Sequence, residues 1–235
     1  MSQKTVVVYG AATLGQELVQ AVATAGCEVI LIDHSEEKLK KGLARVEASL
    51  DAEIARWGLT SSEKRAIMSR IKASTRKEEA TKGWLVIETL KETLEVKRQL
   101  FKELDEICKP ETILASNSAT ISITEISAEC SHPQRAIAMH FQSPIVKVPL
   151  VEISRGLMTN DTTYEAAVRF ANMMRKTVIS VYDCPGFVTT RIVLPMINQA
   201  VKVLEEGIAH CEQIDTAMKL GFGLNAGPLT LADKI

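Results

Sequence analysis

The stretch Lys4-Thr-Val-Val-Val-Tyr-Gly-Ala-Ala-Thr-Leu-Gly15, followed at a distance by Ile30-Leu-Ile-Asp33, constrains the rest of the chain more than any other. Val6 to Tyr9 are uncharged, mostly β-branched and ended by glycine, which predicts a short buried strand. Gly10 to Gly15 predict a tight turn, Gln16 to Ala25 an amphipathic helix, and Glu28 to Ile32 a second apolar strand stopping on Asp33. In such a strand–turn–helix–strand unit the helix opening offers unpaired backbone N–H groups and a positive dipole end to a pyrophosphate, as in dinucleotide-binding folds. Asp33, eighteen residues after Gly15, stands where a carboxylate would hold the adenosine ribose hydroxyls. An acid there favours NAD, because the extra phosphate of NADP would be repelled. The pattern Gly-x-Gly-x-x-Gly is met by Gly10, Ala12 and Gly15, with Thr13 and Leu14 completing the turn. Ala12 adds a methyl group where backbone and phosphates approach most closely, and it penalises a positive φ if the turn needs one. The alternative is a glycine turn in a parallel α/β domain that holds no cofactor.

At 235 residues, 46% hydrophobic and 24% charged, the chain predicts one main domain with an appendage and an ample core. A formal net charge of −1 argues against nucleic acid as a bulk electrostatic partner. Neither a signal-peptide pattern nor an apolar run long enough to span a bilayer is present, so the expected location is the cytoplasm and no membrane partner is expected. Cys27, Cys108, Cys130, Cys184 and Cys211 are scattered and lack metal-ligand spacing, which reads as small hydrophobes in a reducing compartment and no metal site.

After Asp33, Ser35 to Arg56 predict a capped, charged helix with Leu39, Leu43, Val46, Leu50 and Ile54 on one face. Thr60 to Ile71 predict a second helix, and the two together a helical arm standing off the sheet. Its cations Lys38, Lys40, Lys41 and Arg45 read as a solvated face, with the anionic tail of a ligand as the alternative. Strands are expected at 70–73, 84–87, 112–115, 136–139, 148–153 and 177–182. A helix carrying Leu94, Lys97, Leu100, Phe101 and Leu104 in register, a short one over 121–128 and another over 163–175 lie between them. Strands alternating with helices mean a doubly wound, mostly parallel α/β sheet of the Rossmann type. Asp183-Cys-Pro-Gly186 breaks the pattern and divides a domain over 1–184 from an all-helical piece over 185–235. That piece holds helices at 187–206, with Pro195 as an expected kink, and 211–220, then a glycine-rich loop. About fifty residues bury too little surface to stand alone, so a partner subunit is expected to cover them.

Taken together, the motifs resemble the L-3-hydroxyacyl-CoA dehydrogenase family. Val86 to Lys97 is similar to its strand–helix junction, Ser116-Asn-Ser-Ala-Thr-Ile-Ser-Ile-Thr124 to its polar turn, and His140-Phe-Gln-Ser-Pro144 to its histidine signature. Leu150 to Ile153, Asp183 to Arg191, Ala217 to Gly221 and Gly227 to Asp233 follow in the family's order. The resemblance implies NAD as cofactor, with Glu92, Lys97 and Asn117 beside it, and an acyl-CoA substrate. It implies that His140 takes the proton of the substrate's 3-hydroxyl as hydride leaves C3, and that Glu152, twelve residues on, orients the ring. An imidazole suits that task because its unperturbed pKa of about 6.5 lets it trade protons near neutrality.

Three substrate-side positions depart from the family. Ala119 stands for a serine, Ser143 for an asparagine and Thr190 for another asparagine, each change removing or shortening a polar group beside the reacting carbon. Altered substrate choice or low activity is therefore an alternative, as is a CoA-free hydroxy acid substrate such as a sugar acid, or a weakly catalytic binding protein with a structural or regulatory role. The helical piece resembles a truncated form of the family's second domain, and a homodimer using Val188 to Val203 is expected to cover its apolar surface.

Overall fold

The computed structural model describes residues 5–234, so Lys4 and Ile235 lie outside the described residues. The chain divides into two compact units, Met1–Cys184 and Pro185–Ile235.

Among the described residues the first unit is built on one sheet of eight strands: β1 (Val6–Tyr9), β2 (Val29–Ile32), β3 (Ile71–Ser74), β4 (Leu85–Glu88), β5 (Ile113–Ser116), β6 (Ala136–Phe141), β7 (Leu150–Arg155) and β8 (Thr177–Tyr182). The order is β3-β2-β1-β4-β5-β6-β7-β8. Strands β2, β4 and β5 are buried throughout, as expected of parallel strands covered on both faces. The chain winds outward from β1 through β2 to β3, then returns to β4 on the other side of β1, so the switch point lies at the carboxyl ends of β1 and β4. Every pairing is parallel except β6 with β7.

Among the described residues six α-helices flank this sheet: α1 (Thr13–Thr24), α2 (Glu36–Ala55), α3 (Ser61–Ser69), α4 (Leu94–Ile107), α5 (Ile123–Ile126) and α6 (Asp161–Met173). The Ser35 hydroxyl accepts the Lys38 N–H at the start of α2, and Thr60 with Glu63 forms a capping box on α3. The helical arm does not stand off the sheet. Leu39, Val46, Leu50 and Ile67 share one buried core with Leu18, Val19 and Val22 of α1; the apolar stripe has to be buried, and α1 is the surface it meets. Between α4 and β6, Arg135 forms a buried fork: its Nη2 donates to Asp105 Oδ1 at 2.7 Å and to the Asp105 carbonyl at 2.8 Å. Burial pushes the Asp105 carboxyl up, but the hydrogen bond and charge of Arg135 and the amides of Ser131 and His132 outweigh it and hold it below its ordinary value.

The second unit consists of α7 (Thr189–Glu205), α8 (Cys211–Phe222) and α9 (Pro228–Ala232). Pro195 lies inside α7 without ending it. Asp215 accepts the backbone N–H groups of Leu229 and Thr230, each at 2.9 Å, which fastens α9 to α8. Gly227 is required there, because a Cβ would fall 2.2 Å from the Asp215 carboxyl carbon. Ile192, Leu220 and Phe222 are exposed apolar side chains of this unit. Among the described residues no helix is long and apolar enough to cross a membrane.

Candidate active site

The glycine turn is shorter than its sequence predicts. Helix α1 begins at Thr13, three residues before the expected Gln16, so Gly15 sits in its first turn. Glycine is required at that position, because a Cβ on residue 15 would fall 1.8 Å from the Gly10 carbonyl oxygen. Gly10 itself has φ +113°, and a Cβ there would meet Thr89 Oγ1 at 2.9 Å. The expected penalty at Ala12 does not arise, because its φ of −75° and ψ of −177° are ordinary extended backbone. Ala12 and Thr13 are exposed, Leu14 half-buried. The start of α1 has neither a side-chain cap nor an acidic residue in its first turn. Its amides and dipole are thus left for an anionic group, which a dinucleotide pyrophosphate would supply. Asp33, only 3% exposed, accepts the Ala11 N–H at 2.9 Å and the Ser35 N–H at 3.1 Å. A carboxylate has about four lone-pair sites, so Asp33 both braces the turn and keeps acceptor capacity for ribose hydroxyls.

Beside this turn, β4 ends on Glu88, which is fully buried. Its Oε1 receives Lys97 Nζ at 2.7 Å and its Oε2 the Ser116 hydroxyl at 2.7 Å, while the Leu90 N–H also donates to it. Burial pushes the Glu88 carboxyl up, against the Lys97 charge and these hydrogen bonds. Lys97 turns its ammonium into this cluster: it is 1% exposed, donates also to the Leu90 carbonyl at 3.1 Å, and lies 3.3 Å from Glu92 Oε2. The sequence contains a signal for this, since Lys97 falls on the same helical stripe as Leu100, Phe101 and Leu104.

Glu92 closes the turn after β5. Its Oε1 accepts the Ser118 hydroxyl, the amides of Ala119 and Thr120 at 3.1 and 2.9 Å, and the Thr120 hydroxyl at 2.8 Å. Burial works to raise its carboxyl, yet the hydrogen bonds from Ser118 and Thr120 and the charge of Lys97 hold it below the usual carboxylate range. Both hydroxyls flanking Ala119 therefore point to Glu92. Asn117 Oδ1 accepts the Phe141 N–H at 2.8 Å, which brings this turn against the end of β6.

Strand β6 runs two residues beyond its expected end and takes in His140. Because β6 and β7 are antiparallel, His140 and Glu152 are direct register partners on one face. His140 Nδ1 lies 2.9 Å from Glu152 Oε2, with Glu152 1% exposed and His140 buried. In the neutral ring, a carboxylate opposite favours the tautomer with the proton on Nδ1 and the lone pair on Nε2. The Ser143 hydroxyl donates to Glu17 Oε1 at 2.9 Å. Thr190 belongs to the second unit, in the first turn of α7. The first unit thus brings together Gly10, Gly15, Glu92, Asn117, Ala119 and His140 at the carboxyl ends of β1, β4, β5 and β6, with Glu152 near the amino end of the antiparallel β7. Glu88, Glu17 and Lys176, which support them, carry no motif of their own.

A glycine turn at the switch point of a parallel sheet, with a histidine–carboxylate pair two strands beyond β4, defines a dehydrogenase that uses a nicotinamide dinucleotide. The chain belongs to the 3-hydroxyacyl-CoA dehydrogenase family: residues 5–184 match its NAD binding domain and residues 186–235 its C-terminal domain. The probable 3-hydroxybutyryl-CoA dehydrogenase of Bacillus subtilis (strain 168) is 42% identical over 235 residues, covering 100% of this chain and 82% of that protein. The mitochondrial hydroxyacyl-coenzyme A dehydrogenase of Homo sapiens is 35% identical over 240 residues, covering 99% of this chain and 76% of its own length. Among solved structures, (S)-3-hydroxybutyryl-CoA dehydrogenase from Ralstonia eutropha superposes with a TM-score of 0.94 at 42% identity, covering 99% of this chain and 82% of that one.

Proposed function

We propose that this enzyme oxidises the 3-hydroxyl of a short-chain L-3-hydroxyacyl-CoA with NAD, in the cytoplasm and as a homodimer. The observation that carries this reading is the cross-strand pair of His140 and Glu152, with Nδ1 and Oε2 2.9 Å apart, beside a dinucleotide turn. Gly10 and Gly15 shape the turn, the α1 amides hold the pyrophosphate and Asp33 the ribose hydroxyls. When bound, NAD accepts the hydride from C3. His140 Nε2 takes the proton from the 3-hydroxyl oxygen, and Glu152, held to Nδ1, fixes the tautomer and stabilises the imidazolium that results. Glu92 sets the turn that faces this exchange. The test is NAD reduction with 3-hydroxybutyryl-CoA beside L-gulonate: turnover with the CoA ester and none with the sugar acid supports the proposal, and the reverse overturns it.

Low turnover is favoured by a specific observation, the methyl of Ala119 between two hydroxyls that both serve Glu92. One preorganised donor to a reacting oxygen is worth on the order of 100-fold in rate. Ala119→Ser is accordingly expected to raise kcat by at least about tenfold with KM little changed, checked by steady-state kinetics in both directions.

The dimer is proposed through residues 188–203, where Ile192 is 63% and Leu194 44% exposed. A second copy covering these side chains removes an apolar patch from water. Sedimentation is expected to give a dimer; a clean monomer at high concentration rejects it. The free thiols of Cys27, Cys108, Cys130 and Cys211 suit a reducing cytoplasm.

A further inference from the structure

We propose that Glu17 is a positioning residue for His140, acting through the connector between β6 and β7 and joining that connector to α1. The proposal rests on the reading of His140 as the base. Both oxygens of Glu17 are turned to the connector: Oε1 accepts the Ser143 hydroxyl and Oε2 the Ile145 N–H, each at 2.9 Å. On the other side Lys176, itself buried, donates from Nζ to the Ile145 carbonyl and, at 2.6 Å, to the Val148 carbonyl. Ile145 is thereby held by its N–H and its C=O at once, and its side chain is 1% exposed.

The connector leaves β6 directly after Phe141 and enters β7 at Leu150, so it joins the strands that carry His140 and Glu152. Hydrogen bonds to an ionised acceptor are the stronger class, and here they bridge 126 and 128 residues of sequence. Glu17 lies in α1, two residues past Gly15. One carboxylate thus makes a strut between the helix whose first turn faces the dinucleotide and the loop that fixes the end of the histidine strand. If strand register alone held the dyad, Glu17 would add stability and nothing else.

Glu17→Ala and Glu17→Gln separate the two cases. Glutamine retains both contacts, its carbonyl accepting the Ile145 N–H and its amide donating to the Ser143 oxygen; alanine retains neither. The variants are compared by steady-state kinetics, by hydrogen exchange at the Ile145 amide and by the NMR resonance of the His140 Nδ1 proton. Expected for Glu17→Ala are a kcat lower by on the order of 10- to 100-fold with KM for the CoA ester within about threefold. Exchange at Ile145 is expected to be about tenfold faster, and the Nδ1 proton resonance broadened. Glu17→Gln is expected to stay near wild type in all three. An unbroadened resonance in Glu17→Ala, or equal losses in the two variants, overturns the proposal. Should wild type turn over no acyl-CoA, the functional reading fails, while exchange and the resonance still decide the role of Glu17.

Discussion

Replacing His140 by alanine is expected to lower kcat for 3-hydroxybutyryl-CoA oxidation by about 10³-fold, within the range general-base catalysis contributes. Affinity for NADH, read by fluorescence titration, is expected to change by no more than about threefold, because the loss falls on an interaction made during proton transfer. Glu152→Gln tests the other half of the dyad. Glutamine is nearly isosteric but neutral, and its amide can donate to Nδ1, which would move the ring proton to Nε2 and leave no base facing the hydroxyl. Wrong-tautomer variants of such dyads lose several orders of magnitude, and a fall of at least about 10²-fold is expected here. The double variant is expected to be no slower than His140→Ala alone, since Glu152 acts only through the ring it holds at 2.9 Å. Multiplicative losses would show that Glu152 has a separate role. Turnover unchanged in His140→Ala would remove the dyad from the chemistry altogether.

The parts of this site legible in the sequence are those whose cause is local. Val6 to Tyr9, the glycines at 10 and 15 and the acid at 33 are one supersecondary unit, and its spacing dictates a strand, a turn and a helix end. Ala12 departs from the pattern, but the pattern says nothing of backbone angles; at φ −75° a methyl group is without strain. The pairing of His140 with Glu152 is legible only through resemblance, because the residues between β6 and β7, with Pro144 and Pro149, carry no two-residue hairpin signal. Only the antiparallel register makes twelve residues of separation into direct opposition. The partner of the Ser143 hydroxyl, Glu17, is 126 residues earlier in the chain. Periodicity has no means of finding such a contact. Lys97 is the intermediate case, with its helical register pointing inward and its charge pointing outward; Glu88, waiting at the end of β4, decided between them.

That buried pair sets the second large expectation. Lys97→Met is expected to destabilise the first unit by about 3–5 kcal/mol, because it strands the Glu88 carboxylate in the core without its counter-charge. A loss of that size corresponds to a fall in melting temperature of roughly 10 °C for a unit of this length. The sign of its pH dependence follows from Glu88. Burial raises that carboxyl in the folded protein, and removing the ammonium raises it further. Above the unfolded carboxyl value of about 4.3, the folded variant binds more protons than the unfolded chain, so its stability falls as pH rises and recovers as pH is lowered. The deficit against wild type should therefore be smaller at pH 5 than at pH 8 (both about), measured by thermal or urea unfolding. The double variant Glu88→Gln/Lys97→Met removes both charges and is expected to be more stable than Lys97→Met alone, since neutral replacement of a buried pair costs far less than halving it. Equal deficits in single and double variants, or a deficit indifferent to pH, would mean that Lys97 contributes packing rather than charge. Because Lys97 also lies 3.3 Å from Glu92 Oε2, the single variant should loosen the 118–120 turn and lower kcat as well, whereas Lys97→Arg, which keeps the charge, should lower it less.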